Sequence, residues 1–162
     1  MKTLLFRSLL TLIIFSCMDS PDQKYSPIVS LQIHDLIKDS LLNIRALEIE
    51  DNRIRAVSAI GDSYSVDLRT NKVYVNRVNV DTINFRASAI VNNNYFTLSI
   101  GNPAYLFKDT ELVYKETHPN IFYDALHFWN SMEGVAIGDP VDGCMSILIT
   151  RNGGTSWNKV SC

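Results

Sequence analysis

Three stretches of this chain restate one another at nearly fixed intervals, and that periodicity limits the fold more than any composition figure. "NIRALEIEDN" begins at Asn43, "NFRASAIVNN" at Asn84 and "FYDALHFWNS" at Phe122. Setting Arg45, Arg86 and Asp124 in register gives spacings of 41 and 38 residues. Each start runs into a second stretch of small residues ("AVSAIGD", "TLSIGNP", "GVAIGDP"), and the last two share Ile-Gly-Asx-Pro at residues 100–103 and 137–140. A third stretch follows ("SYSVDLRT", "AYLFKDT", "MSILITR") and then a fourth ("VYVNRV", "LVYKET", "TSWNKVSC"). Apolar and polar residues alternate along them, and Asp, Asn and Gly break the pattern about every eight to twelve residues, the signature of short strands. Four strands per ~40 residues is the period of a propeller blade. Residues 41–162 therefore read as all-β, three four-stranded blades of a partial β-propeller. Helix signals are poor, and "LIKDSLLNI" at residues 36–44 is the only moderate candidate.

A chain of 162 residues supports one ordinary domain with a real core. Its 46% apolar and 20% charged content is that of a globular protein. A net charge of −2 without a Lys/Arg run argues against nucleic acid as a partner.

The first 17 residues read as an export signal. Lys2 and Arg7 precede a nearly unbroken apolar run at residues 9–15, and Ser16-Cys17 leads into a polar stretch. The run is too short and wrongly flanked for a spanning helix. "IIFSC" resembles a bacterial lipobox, although Phe15 stands where a small residue is usual. That resemblance implies a lipidated Cys17, a location in the bacterial cell envelope and membrane contact through the lipid alone. Residues 18–40 become a tether, in which "SPIVSLQIHD" at 26–35 reads as an extra strand able to complete a final blade.

Export also bears on Cys144 and Cys162, which lie nine residues on either side of Gly153. If "RNGG" turns a hairpin, that symmetry sets the two opposite each other at ~4.5–5.5 Å between Cα atoms, within disulfide range. An oxidising compartment preserves such a bond.

The segment "ITRNGGTSW" at residues 149–157 carries the most specific pattern. Thr150-x-Asn152-x-Gly154-x-x-Trp157 resembles the Asp-box, or bacterial neuraminidase repeat, of sialidase-like β-propellers, with Asn152 for the usual Asp and Ser156 for the usual Thr. In that motif the Asx side chain bonds the turn backbone, Gly permits positive φ and the aromatic packs between neighbouring sheets. Eroded copies stand at residues 65–73 and 108–113. With the repeat spacing, residues 41–162 look most similar to bacterial lipoproteins related to the photosystem II assembly-factor propellers. The resemblance implies a scaffold, and some such relatives carry the loose names oxidoreductase or glycosyl hydrolase.

A propeller must close, and three blades fall short of the four to eight usually seen. The expectation is the N-terminal part of a longer propeller; a homo-oligomer that closes the ring is the alternative.

A sialidase-like hydrolase needs an arginine cluster, a Tyr/Glu nucleophile pair and an acid/base Asp. Arg45, Arg86 and Asp124 occupy equivalent places on the first strand of each repeat. They form either a channel-facing ligand site or an ion-pair ring between blades. Tyr105 and Tyr123 show no nucleophile spacing, and "HFW" at 127–129 reads as core by alternation. "GDPVDG" at 138–143 reads as a tight loop rather than a calcium site, and His34, His118 and His127 lack zinc spacing. No Gly-rich phosphate loop or βαβ unit points to a cofactor. The sequence thus leans away from an enzyme and towards an envelope-anchored scaffold that presents loops to a protein or glycan. The competing expectation is a glycan-acting hydrolase with most catalytic residues in further blades.

Overall fold

The computed structural model describes residues 43–78, 80 and 83–162. The leader, Cys17, the tether and the 26–35 strand lie outside them, as does the 36–44 helix candidate except for its last two residues; Ile44 opens a strand. Twelve strands follow: β1 (Ile44–Glu50), β2 (Arg53–Ser58), β3 (Asp62–Asp67), β4 (Lys72–Arg77), β5 (Asn84–Val91), β6 (Asn94–Ile100), β7 (Ala104–Lys108), β8 (Glu111–Glu116), β9 (Tyr123–Phe128), β10 (Gly134–Val141), β11 (Cys144–Thr150) and β12 (Asn158–Lys159). They form three antiparallel meanders, β1–β4, β5–β8 and β9–β12, one per repeat. The fold is all-β, three four-stranded blades of β-propeller type.

Local chemistry explains the tight connections. Asp51, Asn92, Asn93, Asp109 and Asp142 carry positive φ where the chain reverses, and short Asx side chains tolerate that region best among non-glycine residues. Two buried serines cap the turns between second and third strands: Ser58 Oγ accepts from Asp62 N at 3.2 Å, and Ser99 Oγ accepts from Tyr105 N at 2.8 Å.

The blades stack face to face. Val57 of the first blade meets Phe85, Tyr95 and Phe107 of the second, with Ala46 and Ile90 at the margin. Ala87, Ala89, Phe96, Leu98 and Leu106 of the second blade meet Tyr123, Leu126, Ala136, Leu148 and Trp157 of the third. The first strands consequently lie side by side, β5 between β1 and β9. Leu47, exposed at 52%, shares its side of the first blade with Val75, away from the second blade.

Three sequence expectations need correction. The shared Ile-Gly-Asx-Pro stretches are not equivalent: Leu98 pairs with Ala87, whereas Ile137 pairs with Ala125, so the two tetrapeptides sit two residues out of register. Gly101–Pro103 form a turn, while residues 138–140 belong to β10, shrinking the expected "GDPVDG" loop to Asp142-Gly143. The 150–157 hairpin pairs Leu148 with Lys159 and Ile149 with Asn158, a register centred between Gly153 and Gly154 rather than on Gly153. Extended, it would oppose Cys162 to Met145. The ladder stops at Lys159, however, and the departing chain brings Cys162 to Cys144 in a disulfide with Cα atoms 5.7 Å apart. In "HFW", Phe128 packs into the core while His127 and Trp129 are exposed, the alternation expected of a strand.

Candidate functional site

The repeat-equivalent residues Arg45, Arg86 and Asp124 share a backbone feature that the sequence did not announce. In β1 the pairing jumps from Ile44↔Ser58 to Ala46↔Val57, leaving Arg45 without a partner. In β5 it jumps from Phe85↔Ser99 to Ala87↔Leu98 across Arg86. In β9 it jumps from Tyr123↔Gly138 to Ala125↔Ile137 across Asp124. Each is the extra residue of a β-bulge, a device that bends the strand and re-aims one side chain. Three adjacent first strands thus present a charged residue from the same bulge. Arg86 Nε donates to Asp124 Oδ1 at 2.8 Å, tying the second blade to the third. Arg45 is exposed on β1 and makes no ion pair among the described residues. The rim carries two guanidinium groups against one carboxylate and can accept an oxyanion through paired N–H donors.

Three residues further along, β1 and β9 carry Glu48 and His127, with Ser88 on the strand between. Ser88 Oγ donates to Glu48 Oε1 at 3.4 Å. Burial raises the Glu48 carboxyl above its ordinary value, against the Ser88 hydrogen bond and the nearby His127 charge, which both lower it. Glu48 escaped notice in the sequence because alternation alone marked it as a polar position, and His127 was weighed only as a zinc ligand or as part of "HFW". Their shared offset from Arg45 and Asp124 was the available signal.

The 150–157 turn is held by its own side chains. Thr150 Oγ1, buried, accepts from Gly154 N at 2.9 Å and donates to Asn152 Oδ1 at 3.0 Å. Asn152 Oδ1 also accepts from Ser156 N at 3.0 Å, and Asn152 Nδ2 donates to Ser156 Oγ at 2.8 Å. The Asn and Ser that replace the motif's usual Asp and Thr therefore bond each other. Gly154, at φ 75°, leaves no room for a Cβ, which would overlap the Phe96 ring. Trp157 packs edge-on against Phe128 at 5.6 Å, and Phe128 lies 4.8 Å from Phe96. The turn thus pins the third blade to the second. Of the eroded copies, Asp67 still accepts from Arg69 N and Thr70 N at 2.9 and 3.0 Å. Asp109 instead accepts from Tyr95 N, on the neighbouring β6, at 3.0 Å.

One Tyr/Glu constellation does exist. Tyr114 and Tyr123 hydroxyls donate to Glu116 Oε2 at 3.0 and 3.2 Å, His118 N donates to Oε1 at 2.9 Å, and Lys159 Nζ lies 3.6 Å away. Tyr123 is 0% exposed, out of reach of any substrate, so the cluster is a strut between blades. Burial pushes the Tyr123 hydroxyl pKa well up, the opposite of activation. Among the described residues no group of three His, Cys, Asp or Glu is placed to hold a metal ion.

No family model matches the sequence, and no curated protein matches it. Solved structures match in fold. "Structure of U3-55K" aligns at TM-score 0.54 and 10% identity over 77% of this chain and 41% of that one. "Crystal structure of RRP9 WD40 repeats" aligns at 0.55 and 11% over 77% and 40%. "Crystal Structure of the N-terminal Domain of Nup159" aligns at 0.45 and 14% over 72% and 37%. The chain spans about two-fifths of the length of the first two structures. The likeness to the first two, the second a structure of WD40 repeats, concerns fold alone, and neither is named as a sialidase or a photosystem II assembly factor.

Proposed function

We propose that this chain is a non-catalytic, partner-binding β-propeller module, held at the bacterial envelope by lipid on Cys17, and that its first-strand rim is the recognition surface. The observation that carries the reading is the triple bulge. A bulge interrupts a ladder, and its recurrence at Arg45, Arg86 and Asp124 spends that cost three times to aim charge at one place. The sole acid of the trio is engaged by Arg86, which favours binding over general-acid catalysis. A protein or glycan carrying carboxylate or sulfate groups has the matching chemistry. The resemblance of the 150–157 turn to the Asp-box is compatible with the same reading, with the turn serving blade assembly.

Photo-crosslinking side chains placed at positions 45 and 86 of the full chain are expected to yield a discrete adduct in envelope preparations. The same group at Arg69, on the β3–β4 turn, serves as the control and should yield none. Charge reversal of both rim arginines should lower partner retention at least about tenfold. Equal labelling from all three positions would sink the rim assignment. Mass spectrometry of the mature N-terminus should find a lipidated Cys17; an unmodified cysteine there would remove the anchor.

A further inference from the structure

A second charged site lies apart from the rim, between the first two blades. A cleft of about 240 Å³ is lined by Arg55, Asn76, Arg77, Tyr95 and Thr110. Arg55 sits over the Tyr95 ring, its guanidinium carbon 5.2 Å from the centroid, and its Nε is buried without a hydrogen-bond partner. A buried guanidinium N–H left without an acceptor is costly. The residue directly opposite Arg55 on β1 is Glu48, yet no ion pair forms between them, and Glu48 turns to Ser88 instead. Tyr95 is 5% exposed.

Arg77 is held beside the same cleft by a two-point fork. Its Nε donates to Asp62 Oδ1 and its Nη2 donates to Oδ2 at 2.8 Å. Asp62 is buried, and the Arg77 hydrogen bonds hold its carboxyl below the ordinary range, so it stays ionised and keeps the guanidinium oriented. With Nε and Nη2 committed, the Nη1 edge is left for another acceptor. The Asp109 carboxylate that also lines the cleft already accepts from Tyr95 N. Two arginines converge on the cleft, one fixed by an aromatic face and one by a carboxylate.

We propose that this interblade cleft is an oxyanion-binding site in which Arg55 and Arg77 hold a phosphate or carboxylate group. The volume exceeds what one such group fills, so the group belongs to a small molecule or to the tip of a side chain. It bridges Arg55 on β2 and Arg77 on β4.

Calorimetric titration of the full chain with inorganic phosphate, and separately with acetate, at ionic strength held constant with chloride tests the assignment. Saturable binding of at least one is expected, and the anion that saturates tells a phosphoryl ligand from a carboxylate. Arg77→Gln and Arg55→Met should each weaken it at least about tenfold, the worth of one charge-assisted hydrogen bond. Arg69→Gln, on the β3–β4 turn outside both sites, should leave it unchanged. Arg55→Met removes a half-buried group and Arg77→Gln unpairs the buried Asp62, so circular dichroism must show both variants folded. Absence of saturable binding by either anion would overturn the proposal, as would affinity that Arg77→Gln leaves unchanged or that Arg69→Gln lowers equally.

Discussion

Replacing Gly138 with alanine is expected to cost the protein more than about 3 kcal/mol, beyond the ~1–3 kcal/mol of ordinary overpacking, and to disrupt the third blade. A Cβ at this position would overlap the Phe122 carbonyl, a backbone oxygen that already accepts from Asp139 N at 3.0 Å. Relief requires moving the start of β9, hence the bulge at Asp124 and its bond to Arg86. Gly143 provides the comparison. It has positive φ, at 84°, but nothing within 4 Å of an added Cβ. Gly143→Ala should therefore cost only about 1 kcal/mol, from backbone conformation alone. Urea melts of both variants separate crowding from conformation, and similar midpoints would show that the bulge at Asp124 is not as tightly packed as described.

The contrast also explains what could be read in advance. Strand count, blade count and the 150–157 turn depend on local chemistry, namely alternation, Asx residues at reversals, and Thr150, Asn152 and Gly154 within five residues of one another. Register does not. The Ile-Gly-Asx-Pro coincidence misled because cross-strand pairing, which sets equivalence between blades, leaves no mark in the sequence. Blades one and two carry Ser58 and Ser99 at the place where the third carries Gly138. The serine hydroxyls close the turns that follow; the third blade extends β10 instead and brings backbone into the space. The disulfide pair was legible as a pair, but not its offset, since that depends on where the β12 ladder ends. Contacts between blades were out of reach for the same reason. Arg55 meets Tyr95, and Glu116 meets Tyr123 and Lys159, only after the sheets have stacked.

The Glu116 strut gives the other large effect. Glu116→Ala should destabilise the protein by about 3–5 kcal/mol, because it strands two tyrosine hydroxyls and the His118 N–H in a poorly solvated seam. Lys159 contributes little of this, being 45% exposed at 3.6 Å. Glu116→Gln keeps an acceptor for the hydroxyls and should recover part of the loss. Acidity supplies the decisive reading. Burial alone would raise the Glu116 carboxyl, but His118 N, Tyr114, Lys159 and Tyr123 together hold it below its ordinary value of 4.5. The unfolded chain therefore takes up a proton at higher pH than the folded one. The stabilisation from the carboxylate is complete above 4.5 and drains away as pH falls through the lowered folded value. Melting temperatures measured from pH 7 downwards should fall more steeply below this point for the wild type than for Glu116→Gln, whose amide does not titrate. Parallel acid profiles for the two would mean that Glu116 is not ionised in the seam, and the strut would then rest on neutral hydrogen bonds alone.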